Sequence, residues 1–130
     1  MQTLQPPGWA KPRGYANGIA AKGTLVFVAG QIGWNADATW ATDDFGRQFA
    51  QALRNVVAVC AEAGAKPEHI VRLTWFITSK REYLAAIKEI GVAYREIMGR
   101  HYPTMTVVEV GALVEDRAKI EIEATAVVPE

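Results

Sequence analysis

The chain has 130 residues, of which half are hydrophobic and 22% charged. This fits one globular domain over residues 1–130 with a real core. Its 14 basic and 14 acidic residues cancel, which argues against a general attraction to nucleic acid or to an anionic membrane. Cys60 is the only cysteine, so an intrachain disulfide is excluded and a reducing compartment is expected. No apolar run approaches the roughly 20 residues of a membrane span. The opening Met1-Gln2-Thr3-Leu4-Gln5-Pro6-Pro7 lacks the charged and apolar regions of a signal peptide. The expected location is cytoplasmic.

Residues 1–13 hold three of the six prolines and read as an irregular arm. Gly18–Ala21 and Thr24–Ala29 flank Lys22-Gly23, the pattern of a hairpin with Gly23 at a positive φ. Gly30 closes the second strand, and residues 31–41 follow as a loop containing Trp34 and Trp40. Thr42-Asp43-Asp44 then opens a helix, with Thr42 as its cap. Phe45, Phe49, Leu53, Val56 and Cys60 recur at three- and four-residue steps along it. Gly64 stops this helix and Pro67 keeps it from resuming. His69 to Thr78 alternates as a strand, with Val71, Leu73, Trp75 and Ile77 on one face. Ser79 and Glu82 fit a capping box for a second helix presenting Tyr83, Ile87, Ile90 and Tyr94 and ending at Gly99. Strand patterns return at Thr104–Val110 and Lys119–Val128, separated by the polar turn Val114–Arg117. Two helices on one face of a sheet make a two-layer α+β sandwich. The second sheet face is mixed rather than polar, which suits contact with another subunit.

Several chemistries are disfavoured. His69 and His101 do not stand at a metal-ligand spacing with Cys60, and neither a phosphate loop nor a Gly-x-Ser-x-Gly elbow occurs. Ser79, the only serine, is already committed as a helix cap. No metal and no organic cofactor is expected. Cys60 reads as a core thiol, His69 as a surface residue at a strand start, and His101 as a polar loop residue or, alternatively, a proton-transfer group. Glu121 and Glu123 can pair with Arg72 or Lys119 across the sheet.

Four segments share a further property. Gly14-Tyr15, Val28-Ala29-Gly30-Gln31-Ile32, His101-Tyr102-Pro103-Thr104-Met105-Thr106-Val107-Val108-Glu109-Val110 and Lys119-Ile120-Glu121-Ile122-Glu123-Ala124, in this order, resemble the RidA (YjgF) family. Its members are small trimeric proteins that hydrolyse reactive enamines and imines. The resemblance implies a mixed β-sheet in a chorismate mutase-like fold, a homotrimer, and a small-molecule pocket at each subunit interface. It implies that Glu121 handles the proton and the water. By the same resemblance, Tyr15, Gly30 and Gln31 orient the substrate, and Met105 and Thr106 line the pocket wall. Met105 is also the departure, because deaminating members carry there an arginine that grips the substrate carboxylate. Either Arg13, Arg72 or Arg100 replaces it, or the ligand is not a small α-imino acid. Trp34 and Trp40 could then stack on a conjugated ligand such as the 2-aminomuconate taken by some members.

The expected function is hydrolytic deamination of enamine or imine metabolites with an altered substrate. The alternative is a non-catalytic binding or regulatory trimer. A ribonuclease, an activity sometimes attached to this family, is disfavoured by zero net charge and by the lack of a basic and aromatic patch in the sequence.

Overall fold

A computed structural model describes all 130 residues. Its order is β1 (Gln2–Leu4), β2 (Gly18–Ala20), β3 (Thr24–Ile32), α1 (Phe45–Glu62), β4 (Ile70–Ile77), α2 (Lys80–Ala85), α3 (Ile87–Met98), β5 (Thr104–Glu109) and β6 (Ile120–Val128). The main sheet runs β3-β6-β4-β5. It is mixed: β4 and β5 are parallel, while β6 is antiparallel to both β3 and β4. The expected two-layer α+β fold, with two main helices on a mixed sheet, is the fold observed.

The periodic residues of α1 build the core. Phe45, Phe49, Ala52, Leu53, Val56 and Cys60 are all buried, and each large side chain so buried contributes roughly 1.5–3 kcal/mol. They meet Leu73, Trp75 and Ile77 of β4 and Ile120, Ile122, Ala124 and Ala126 of β6. Trp75 lies edge-on to Phe49 at 4.8 Å and closes the aromatic cluster with Tyr83 and Tyr94.

The local expectations differ from the structure at several points. The strands either side of Lys22-Gly23 do not form a hairpin. β2 pairs instead with β1, in the arm expected to be irregular, while β3 pairs with β6. Gly23 is still required, but by close approach: at φ 147°, a Cβ there would lie 1.9 Å from the Val128 carbonyl oxygen. β3 continues past Gly30 to Ile32 through an irregularity between Val28 and Gln31. Thr42 does not cap α1. Its hydroxyl accepts from Asp44 N, and Asp44 accepts from Arg47 N as the cap. His69 closes a short 3₁₀ turn, with its Nδ1 accepting from Lys66 N. A register shift between Ile70 and Arg72 puts Ile70 in the core and leaves Val71 half-buried. Ser79 caps α2 as expected, but its helix breaks at Ala86, where ψ is 8°, before α3 resumes.

Candidate functional site

β5 is one of the two edge strands of the main sheet, and its partner register decides which side chains share a face. Leu73 is opposite Met105, Thr74 opposite Thr106, and Arg72 opposite Thr104. Leu73 is core, so Met105 faces the helices and packs against the core cluster, while Thr106 is on the outer face. The two residues expected to share one wall therefore stand on opposite faces of the strand.

Two clefts meet at this edge. The outer one, about 380 Å³, is lined by Tyr15, Asn17, Arg72, Thr104, Met105 and Thr106, among others. Tyr15 reaches it because Gly14 turns the chain at φ 76°. Ala16 N then donates to Pro103 O at 3.0 Å, fixing the segment beside the start of β5. Arg72 is exposed, and the chain's two ion pairs, Arg117–Asp43 and Lys119–Glu82, leave it without a carboxylate. The inner cleft, about 280 Å³, lies between α3 and the sheet and includes Arg13, Trp75, Tyr83, Tyr94, Arg95 and Met105. Burial raises the Tyr83 hydroxyl pKa. Burial, and then the neighbouring Tyr102, raise that of Tyr94, so both are neutral donors. Tyr94 stacks on Tyr102 at 5.2 Å and donates to His101 O at 2.6 Å.

Glu121 stands elsewhere. It is opposite Phe76 on β4 and Ile32 on β3, which puts it on the outer face. From Met105 this is three residues along, roughly 10 Å at the strand rise, and two strands across, roughly another 10 Å. Its carboxylate lies against Gly30, where an added Cβ would stand 2.4 Å from Oε2. Gly30 therefore makes room for the acid. Gln31 is opposite Ile122, and its amide donates to Ala29 O. Neither Glu121 nor Glu123 forms an ion pair, because Lys119 turns to Glu82 at 2.8 Å. The chain thus brings Tyr15, Met105 and Thr106 together, and separately Gly30 and Glu121 with Gln31 beside them. It does not join the two groups.

Other expected contributors are accounted for structurally. Trp34 and Trp40 lie 6.0 Å apart, and the Arg117 guanidinium sits 5.5 Å over Trp40, so that face is taken. His101 Nε2 is 2.6 Å from Ile70 O. Cys60 is fully buried, and burial raises its pKa. Arg100 lines neither cleft around Met105. It lies in a larger cleft of about 820 Å³ with Lys11, His101, Trp9, Tyr15 and Tyr102. Basic and aromatic residues scattered in the sequence do converge there, because β1 folds the arm back along β2. No group of three or more metal-ligating side chains is present, and no helix is long and apolar enough to cross a membrane.

A mixed sheet covered by two main helices, with an open edge strand beside a tyrosine-bearing turn, defines the class. The family model described as Endoribonuclease L-PSP matches residues 10–128, and the chain belongs to this family, which is also that of YjgF and RidA. TdcF of Escherichia coli strain K12 is 34% identical over 130 residues, 98% of this chain and 95% of the relative. The 2-iminobutanoate/2-iminopropanoate deaminase of Salmonella typhimurium is 32% identical over 116 residues, 87% of this chain and 86% of the relative. Among solved structures, a Rid-family protein, YyfB from Yersinia pestis, superposes with TM-score 0.84 at 28% identity, covering 98% of each chain. E. coli TdcF with bound serine gives TM-score 0.70 at 31% identity, covering 98% of this chain and 99% of that one.

Proposed function

We propose that the protein is a hydrolytic deaminase of small enamines or imines, acting as a homotrimer whose pockets form where the outer sheet faces of two copies meet. The observation that carries this reading is the Glu121 carboxylate, seated over Gly30 and free of any cation. Relatives named as 2-iminobutanoate/2-iminopropanoate deaminases support the reaction type.

The chemistry requires one acid–base group and one water. A protonated Glu121 gives its proton to the enamine carbon, producing an iminium ion. The resulting carboxylate then takes a proton from water as its oxygen bonds to the iminium carbon. Collapse of the carbinolamine expels ammonia and leaves a ketone. Tyr15 and the backbone around Gly30 and Gln31 orient the substrate, and Met105 and Thr106 shape its pocket. Apposition of two copies brings the Glu121 group of one to the Tyr15 group of the other. Exposed Leu25, Phe27 and Val108, at 58%, 74% and 40%, support such contact on this sheet face.

The test is ammonia release from 2-iminobutanoate and from 2-aminomuconate, each generated enzymatically. Wild type should accelerate at least one, and Glu121→Ala should lose at least a hundredfold, the usual contribution of general acid–base catalysis being about 10²–10⁴. Full activity in Glu121→Ala overturns the assignment. Met105 favours a second reading, a binding or regulatory trimer. Wild type inert on both substrates, with 2-iminobutanoate turnover appearing in Met105→Arg, would establish that reading instead.

A further inference from the structure

The cleft of about 820 Å³ at the arm shares only Tyr15 and Ala16 with the outer cleft, and the proposed reaction uses nothing else in it. Its charge is one-sided. Lys11 and Arg100 line it while no aspartate or glutamate does, and neither cation belongs to an ion pair. Its aromatic surface is also unspent. Trp34 and Trp40 face each other and Trp75 is core, but Trp9 is 63% exposed, although tryptophan is on average a well-buried residue. The arm nevertheless holds Trp9 in place. Gln5 Nε2 donates to Trp9 O and Ala10 O at 3.4 and 3.2 Å, and Gln5 Oε1 accepts from Asn17 Nδ2 at 2.8 Å. Tyr102, a second partly open ring, is fixed by stacking on Tyr94. His101 is held by one nitrogen only. Its Nε2 lies 2.6 Å from Ile70 O, and a carbonyl oxygen can only accept, so Nε2 carries the hydrogen. In the neutral ring this leaves Nδ1 as an acceptor without a partner.

We propose that this cleft binds a nucleoside monophosphate. A phosphate monoester carries a charge of about −1.5 to −2 at neutral pH, which Lys11 and Arg100 together balance, and a guanidinium matches phosphate oxygens two at a time. The base stacks on Trp9, with Tyr102 as a second wall, since every base offers a flat face to an aromatic ring. A ribose hydroxyl donates to His101 Nδ1. Inorganic phosphate would leave Trp9 bare, and a simple aromatic acid would leave Nδ1 unpaired, so only a ligand with all three parts uses the whole cleft. Its volume falls within the roughly 300–1,000 Å³ of small-molecule sites. A chain of zero net charge offers no extended basic track for a polymer, which favours a free nucleotide. The site stands apart from the Glu121 group and does not depend on the deaminase reading.

AMP is the probe, titrated into ¹⁵N-labelled protein while the indole N–H signals are followed. The Trp9 signal, assigned by its loss in Trp9→Phe, should move saturably, while the core Trp75 signal stays in place and reports an intact fold. Lys11→Ala combined with Arg100→Ala should weaken the midpoint by about tenfold or more, equivalent to losing at least one charge-assisted hydrogen bond. Trp9→Ala, measured by calorimetry, should weaken it by about fivefold or more, the loss of one stacked base. Adenosine and ribose 5-phosphate, each lacking one half of the ligand, should both bind more weakly than AMP. A Trp9 signal unmoved by AMP, or an affinity unchanged in the double variant, overturns the proposal. So does inorganic phosphate binding as tightly as AMP, which leaves a plain anion patch, or an oligoadenylate binding far more tightly, which makes the cleft part of a strand-binding surface. Ammonia release from 2-iminobutanoate by the double variant should match wild type; its loss would place the two cations in the deaminase site and overturn the separate nucleotide site.

Discussion

Gln48 shows how much one polar residue can organise. It is fully buried on α1, immediately before Phe49. Its amide donates to the carbonyls of Thr42 and Arg117 at 3.2 and 3.0 Å and accepts from Lys119 N at 2.9 Å. It thereby ties the entry of α1 to the turn that feeds β6, the strand of Glu121. Replacing it with leucine strands three partly buried backbone groups, so Gln48→Leu should lower stability by about 2–4 kcal/mol, read from the urea midpoint at unchanged slope. The sequence offered no sign of this role, because a glutamine beside an apolar stripe reads as solvated until the loop it binds, some seventy positions on, is placed. Glu121 and Tyr15 were singled out through short local motifs. What each faces was not legible.

Among the elements, α1 was the most legible and its start the least. The three- and four-residue apolar rhythm needs only helical geometry to be read. The cap depends on which of two adjacent acceptors reaches the free N–H groups, and Asp44 does while Thr42 braces Asp44. Asp44→Ala should cost about 1 kcal/mol, with Thr42→Ala costing less, measured as shifts in chemical unfolding. A larger loss for Thr42→Ala would restore it as the cap. The hairpin misreading has a different cause. Lys22-Gly23 has turn chemistry, but pairing is settled by what else each strand can bury against. β3 finds β6, whose alternating Ala124 and Ala126 face α1, and β2 is left to the arm. The register shift at Val71 likewise follows from how β4 fits β6, which no reading of β4 alone contains.

For the whole molecule, the decisive fact is that the two groups of candidate residues are separated on one chain. The proposed assembly therefore predicts complementation. Mixing Glu121→Ala protein with protein altered at Tyr15, after dissociation and reassociation, should recover part of the activity that each lacks, because some interfaces would combine two intact halves. Ammonia release from the mixture decides it; no recovery despite mixed oligomers would require each chain to hold a complete site.

The sequence by itself determined the fold class, the helical core stripe, the strand of Glu121 and the membership that its motifs suggested. These depend on periodicities of two and 3.6 residues and on short contiguous motifs, all of which are local. Only the tertiary structure decided that Met105 and Thr106 look in opposite directions, that Lys119 belongs to Glu82, and that Glu121 rests on Gly30. Each of these joins residues on different elements through strand register or helix docking, and packing sets those only once the whole chain has folded.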